Sequence, residues 1–527
     1  MSKPRPERNF QRFQRATWIH PAAYPLDQPV DATLYRPVAA WIGRLVLPPR
    51  GERDPEGGCH LELHHAPPAY AHWVGQTVRL RYSSNRLTQA RTWAVTRHVI
   101  FNQRAEKMAA DGMVLSERIN RWRLVTPLES LAAGHPEDDI IVRLVEPVEV
   151  AEAADGPVLL IDHEPVQISG RYVGLVTFVE PSTEVEHGWR VRHFNPQSHS
   201  FDGAESIVTV PPPVLNENGT LPSTSAGIDG SPLNEAGWYI YGAPGVDGRF
   251  LVQAWTPRAL LRLDPQRVIT GEEACWRYVR HEAWANVAAR KGTVTSVLCD
   301  PRAHNPATAS AAWKEGDSAL LLHVYSGIGG KQREPAARAY LYFGHFSFGV
   351  ADVIHEPLAD ELRFDITYYQ IYTHNIDGLV AGALDWSRYM GDRQFGWAGL
   401  RPVCDILIKF DELNDPYRVS GQTYSVLRAI KSNLEQMAAR YRIGDGRGAT
   451  YVAAANNCAQ DSSQAFYAAI VEIGELIETG YNLDEWAAAN PTQAARLRRV
   501  QQVGRALRRK LVGGDARRPD WRYGVEN

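Results

Sequence analysis

Apolar and polar positions alternate with period two through much of the first half of the chain. Ala39–Leu47, Thr77–Tyr82, Val158–Ile161, Arg171–Phe178 and Trp238–Tyr241 read as short strands broken by Pro and Gly. One helix fits near 104–122. A Pro/Gly/Ser/Asn-rich stretch, about 211–236, reads as a long loop.

Beyond residue 265 the period changes. Ala274, Cys275, Tyr278, Val279 and Ala285 recur at helical spacing within 272–289. Strands over 294–299, 319–325, 340–354, 362–372 and 403–410 are interleaved with helices near 382–391, 420–441, 458–478 and 484–511. In the helix over 458–478, Phe466, Ala469, Ile470, Ile473 and Ile477 form one apolar stripe. In Arg363–Gln370, Phe364, Ile366 and Tyr368 share one face, and Asp365, Thr367 and Tyr369 the other. The pattern predicts an α+β protein. A β-rich region over 1–265, divisible into two subdomains, precedes an α+β domain over 266–527 that ends in a basic helix.

Composition sets the limits. With 527 residues, 44% of them hydrophobic, the chain can bury a core without covalent staples. Five cysteines without a CxxC pair fit a reducing compartment. A formal net charge of −3 argues against a nucleic-acid partner held by bulk electrostatics. No run approaches the roughly 18 apolar residues of a membrane span, and the charged N-terminus leads into no apolar signal segment. The expected location is cytoplasmic.

The chemistry centres on Cys458, in Asn456-Asn457-Cys458-Ala459-Gln460-Asp461. The sequence puts it at the mouth of a helix, where the helix dipole and unpaired N–H groups favour a thiolate. Asn457 and Gln460 are candidate oxyanion or substrate donors. His345, in Gly344-His345-Phe346-Ser347-Phe348-Gly349, is the candidate base, and Gly344 beside it allows close approach. Asp365 is the preferred orienting group for that base, ahead of Gln370 and His374. Cys404, flanked by strand apolars, reads as a core residue.

Histidine on a strand, a polar residue on the next and then cysteine opening a helix resembles the circularly permuted papain-like cysteine hydrolases, the NlpC-type and lecithin–retinol-acyltransferase-like group. Gly344–Gly349, Tyr372-Thr373-His374-Asn375, Tyr389-Met390-Gly391-Asp392 and Cys458–Ala465 also resemble soluble bacterial, notably cyanobacterial, proteins labelled CAAX protease-like, as do Gly170-Arg171-Tyr172 and Phe201-Asp202-Gly203. The resemblance implies a papain-like domain that uses Cys458 and His345 on a peptide or acyl substrate through a thioester, with no cofactor. The β-rich region would then position substrate or bind a protein partner. The alternative is a non-catalytic protein- or glycan-binding protein on a degenerate papain-like scaffold.

Other motifs carry less. Glu272-Glu273-Ala274-Cys275-Trp276-Arg277 matches the EExxxR pattern of intramembrane proteases, but the chain has no spans, and two glutamates in a first helical turn suit the dipole. His60, Glu62 and His64 share a strand face and form a candidate zinc trio, against the simpler reading of a solvated face; no metal is expected. Gly327-Ile328-Gly329-Gly330-Lys331 lacks phosphate-loop spacing. The basic helix carries the apolar stripe Leu497, Val500, Val503, Leu507 and Leu511, by which it should pack.

Overall fold

Strands dominate the N-terminal half, as the period-two pattern requires. A computed structural model describes residues 21–48, 52, 58–85, 88–89, 92, 97–99, 123–134, 140–154, 156–212, 228–284, 294–310, 313–325, 345–371, 380–393, 403–419, 421–443, 458–480 and 483–512. The helix expected near 104–122, most of the 211–236 loop and Gly327–Lys331 lie outside the described residues. In chain order the strands are β1 (Arg36–Pro37), β2 (Ile42–Val46), β3 (Cys59–His65), β4 (Thr77–Tyr82), β5 (Arg97–Val99), β6 (Arg123–Val125), β7 (Ile141–Arg143), β8 (Val148–Ala153), β9 (Gly156–Ile161) and β10 (Val166–Gln167). Next come β11 (Tyr172–Pro181), β12 (Gly188–His193), β13 (Glu205–Thr209), β14 (Trp238–Pro244) and β15 (Phe250–Pro257). The last set is β16 (Arg267–Thr270), β17 (Val294–Asp300), β18 (Ser318–Tyr325), β19 (His345–Glu356), β20 (Glu361–Gln370), β21 (Gly382–Asp385) and β22 (Val403–Ile408). The helices used below are α1 (Pro127–Ala132), α2 (Pro232–Ala236), α3 (Glu272–Arg280), α4 (Val426–Ile443), α5 (Cys458–Gly480) and α6 (Pro491–Val512).

β11 to β15 close into a ring. β11 pairs with β12, β12 with β13, β13 in parallel with β15, β15 with β14, and β14 back with β11. This is a five-stranded Greek-key barrel, the general layout of OB-type folds, with α2 between its third and fourth strands. Val176, Phe178, Val191, Val208, Ile240 and Trp255 fill it.

β1 adds to the barrel beside β11, β5 and β6 pair with each other, and fourteen other strands form one mixed sheet in the order β16-β17-β22-β18-β19-β20-β21-β10-β7-β2-β3-β4-β9-β8. The expected boundary near 265 falls between the barrel and β16, yet the sheet takes strands from both sides of it. The join is the parallel pair β10–β21, with Gln167 opposite Leu384. One face of the C-terminal part is covered by helices: Leu320, Leu322, Phe348, Val350 and Tyr369 pack with Phe466, Ile470, Ile473 and Leu497. The other face meets the outer surface of the barrel, where Val173, Leu175, Tyr239 and Tyr241 pack with Phe364, Ile366, Tyr368 and Leu384. Period-two alternation in β19 and β20 serves both layers at once.

Four expected helices differ. The one over 272–289 ends at Arg280 and is followed by a 3-10 turn at Glu282–Trp284. The one over 420–441 starts at Val426, after the short strand Gln422–Tyr424. The one near 382–391 opens as strand β21, paired with β20, and only Trp386–Tyr389 is helical, capped by the Asp385 carboxylate accepting from the Ser387 N–H. The one over 484–511 breaks at Asn490–Pro491, because proline cannot continue a helix but can start one. The basic helix α6 buries Leu497 and Val500, as its stripe predicts.

The Tyr389–Asp392 motif belongs to the seam between barrel and sheet. The Trp255 N–H donates to the Gly391 carbonyl at 3.2 Å, and a Cβ at Gly391 would overlap the Trp255 carbonyl oxygen. Glycine is therefore required there by close approach. Across the same seam the buried Glu356 accepts from Arg36 (2.9 and 2.6 Å) and from Arg363 (2.8 Å). Burial alone would raise its pKa, but the two guanidiniums bring it down to about 2. A depressed folded pKa contributes stability that is present above the ordinary value near 4.5 and lost as pH falls towards 2. Glu356→Gln should therefore cost on the order of 3 kcal/mol at pH 7. The gap to wild type should shrink as denaturation is repeated from pH 5 down to pH 2; a gap that stays constant with pH would show that the carboxylate charge is not what matters.

Candidate functional site

Several distant segments converge at one end of the large sheet. β18 ends at Tyr325 opposite His345, the first residue of β19. β20 ends at Gln370, and β22 begins at Val403 beside β18. α5 starts at Cys458 over the beginning of β19, fixed by Phe348 stacked on Phe466 with ring centroids 5.3 Å apart. The Tyr441 hydroxyl near the end of α4 donates to the Asp461 carboxylate in the first turn of α5, tying the two helices together at this level.

Cys458 is half-buried at that first turn. Burial pushes its thiol above the ordinary value near 9, and the Asp461 charge adds to this. Three main-chain N–H groups act in the opposite sense: those of Phe346, Ala459 and Cys458 itself. The Phe346 N–H belongs to β19, so the sulfur meets the strand at its main chain, one residue from His345. The His345 side chain lies outside the described atoms, as do residues Gly344, Asn457 and His374. Gln460 is half-buried two residues into the helix.

Asp365 is elsewhere. β20 runs antiparallel to β19 and sets Asp365 opposite Asp352, seven residues beyond position 345, or roughly 23 Å along the strand. Its carboxylate bonds Arg143 at 2.9 Å. Burial alone would raise its pKa, but Arg143 and Arg363 hold it below the usual range. The alternation was legible, but the register was not, and it separates Asp365 from His345. Gln370 is the nearer residue. It lies opposite Ser347, and its Nε2 donates to the Ser347 Oγ at 3.0 Å.

That contact is part of a buried polar row missed by sequence reasoning. Asp405, His323, Ser347 and Gln370 stand in register on β22, β18, β19 and β20. His323 Nδ1 and Asp405 Oδ1 are 2.6 Å apart, and the Tyr368 hydroxyl donates to Asp405 Oδ2 at 2.7 Å. His323 is 0% and Asp405 2% exposed. The row lies on the barrel side of the sheet with Tyr368, whereas α5 covers the other side, so Cys458 approaches position 345 at the end of the sheet, beside the Phe346 main chain. The available signal was a His and an Asp in the middle of two otherwise apolar strands, where a buried polar group has to be matched.

The zinc trio does not assemble. Glu62 is engaged by Arg44 at 2.7 Å and His64 at 3.0 Å, and among the described residues no group of three His, Cys, Asp or Glu side chains could hold a metal. Glu272 and Glu273 are exposed, and no described helix is long and apolar enough to cross a membrane.

Farther along the helix-bearing face lies a cleft of about 850 Å³. Val145–Pro147, Ser318, Val350 and Asp352, and Arg428 and Lys431 of α4 line it. Burial raises the Asp352 pKa, partly offset by a bond from the Ser318 hydroxyl and by the Lys431 charge. No protein-family model, curated protein or solved structure matches this chain.

Proposed function

We propose that the protein is a cysteine-nucleophile hydrolase or acyltransferase of permuted papain-like design, acting on peptide or amide bonds. One observation carries the reading: the half-buried Cys458 opens α5 at the end of the sheet, where the main-chain N–H groups of Ala459, of Cys458 itself and of Phe346 in β19 act to lower its pKa against burial. These are the donors that a thiolate, and later a tetrahedral oxyanion, requires. Cys458 attacks the acyl carbon. His345 takes the thiol proton and returns it to the leaving group, and water or an acceptor amine or hydroxyl resolves the thioester. Gln370 replaces Asp365 as the orienting partner, because it lies on the strand beside the His345 end.

p-Nitrophenyl acetate tests this without knowledge of the substrate. Peptide mapping should find an acetyl group on Cys458 alone, released by hydroxylamine, and His345→Ala should slow both its formation and its loss. Failure to acylate Cys458, or rates indifferent to His345→Ala, would remove the proposal. The second reading, a non-catalytic binding protein, is favoured by the large cleft distant from Cys458, and either of those outcomes would leave it standing.

A further inference from the structure

Two other thiols lie under α3 at the β16 end of the large sheet. β16 is the last of the described strands at this end and pairs in parallel with β17, with Ile269 opposite Cys299. α3 packs over this end, and the Cys275 thiol donates to the Ile269 carbonyl at 3.4 Å. The Cys275 sulfur thus contacts the main chain of Ile269, which lies one strand spacing, about 4.8 Å, from that of Cys299. Neither residue is in a disulfide, and both are buried in one cluster with Tyr278. A hydrogen bond with Cys299 holds the Cys275 thiol below its ordinary pKa, against the effect of burial. An acidified buried thiol with a second sulfur in reach is the arrangement of a nucleophilic cysteine and its resolving partner.

We propose that Cys275 and Cys299 form an oxidative modification site that closes into an intramolecular disulfide when the protein meets a hydroperoxide. The Cys275 thiolate attacks the terminal peroxide oxygen. The O–O bond breaks, the alkoxide or hydroxide leaves with a proton, and Cys275 becomes a sulfenic acid. Cys299 then attacks that sulfur, the S–S bond forms and water departs. The peroxide accepts the two electrons that the thiols lose. Bond formation requires the sulfurs to close to about 2.05 Å, a movement that local opening of a nine-residue helix at this end of the sheet can supply. The disulfide would pin α3 to β17 and close the chain between residues 275 and 299.

The test uses full-length protein carrying Cys458→Ser, so that the proposed nucleophile does not compete. Hydrogen peroxide is titrated in, and non-reducing peptide mapping follows each cysteine. The expected product is a cross-linked peptide pair joining Cys275 to Cys299, lighter by two hydrogens and reversed by dithiothreitol. It should appear before the buried Cys59 is oxidised. In Cys299→Ser, dimedone should trap Cys275 as sulfenic acid, whereas Cys275→Ser should leave Cys299 a thiol over the same exposure. Oxidation of Cys59 ahead of the pair, or conversion of both thiols to higher acids without the cross-link, would overturn the proposal. The mapping of the Cys458→Ser protein decides the matter even if either further substitution disturbs folding.

Discussion

Arg442→Ala should destabilise the fold by about 3–5 kcal/mol. Arg442, near the C-terminus of α4, holds Glu164 with two bonds, 3.0 and 2.6 Å, and both side chains are almost fully buried. The same guanidinium donates to the Ala381 carbonyl at 2.5 Å and the Ser130 hydroxyl at 3.1 Å. It therefore links α4, the start of β21, α1 and the turn before β10. This is where strands from the two halves of the chain join into one sheet. Truncation would leave a buried carboxylate and a buried carbonyl without their donor. Burial raises the Glu164 pKa, and Arg442 pulls it back; in the variant burial acts without that counterweight. A raised folded pKa contributes stability below the unfolded value that is lost as pH rises through the folded one. The deficit should accordingly be smallest in mild acid and grow towards pH 8. Urea denaturation of wild type, Arg442→Ala and the double variant Arg442→Met/Glu164→Leu checks this. The double variant should recover most of the loss, since the cost lies in the unmatched charge. An alanine variant within 1 kcal/mol of wild type would show that the pair is not a strut.

The Arg442–Glu164 pair also marks what a single sequence can and cannot disclose. Periodicity located β4, β17, β18, β19, β20 and α5 to within a few residues, because each is long enough for its apolar set to be read against one burial pattern. It also separated Phe364, Ile366 and Tyr368 from Asp365 and Tyr369, which do lie on opposite faces. Pairing is another matter. β10 has two residues, Val166 and Gln167, too few to carry any period, yet it joins the two halves of the sheet. Register was likewise invisible: nothing in Arg363–Gln370 says that Asp365 lies opposite Asp352 rather than opposite position 345. The buried His323–Asp405 pair was hidden because apolar neighbours dominate both strands. Cys458 was legible because its signal is local, a cysteine opening an amphipathic run.

The alkylation rate of Cys458 should respond to pH in a way that isolates the role of His345. The thiol lies above its ordinary value near 9, since burial outweighs the N–H groups of Phe346, Ala459 and Cys458. A solitary thiol of that kind is at most about 1% thiolate at pH 7. Its iodoacetamide rate would rise about tenfold per pH unit until pH exceeds 9. A histidine that takes the proton changes the shape of the profile. The reactive species becomes a thiolate–imidazolium pair, whose electrostatic stabilisation lets it form from neutral pH downwards. Wild type should therefore show a plateau of reactivity between about pH 6 and 8. His345→Ala should show only the steep alkaline limb, with a loss on the order of 100-fold at pH 7 and near-equality above pH 10. Gln370→Ala should reduce the plateau without removing it, because an orienting partner fixes the imidazole and does not carry the proton. The comparison is internal to one residue, so exposure, which already favours Cys458 over the buried Cys59, Cys275 and Cys299, cancels between variants. Superimposable profiles for wild type and His345→Ala would mean that the proton on Cys458 is not handled by His345. The convergence of strand ends at Cys458 would then have to be explained by binding rather than by acyl transfer.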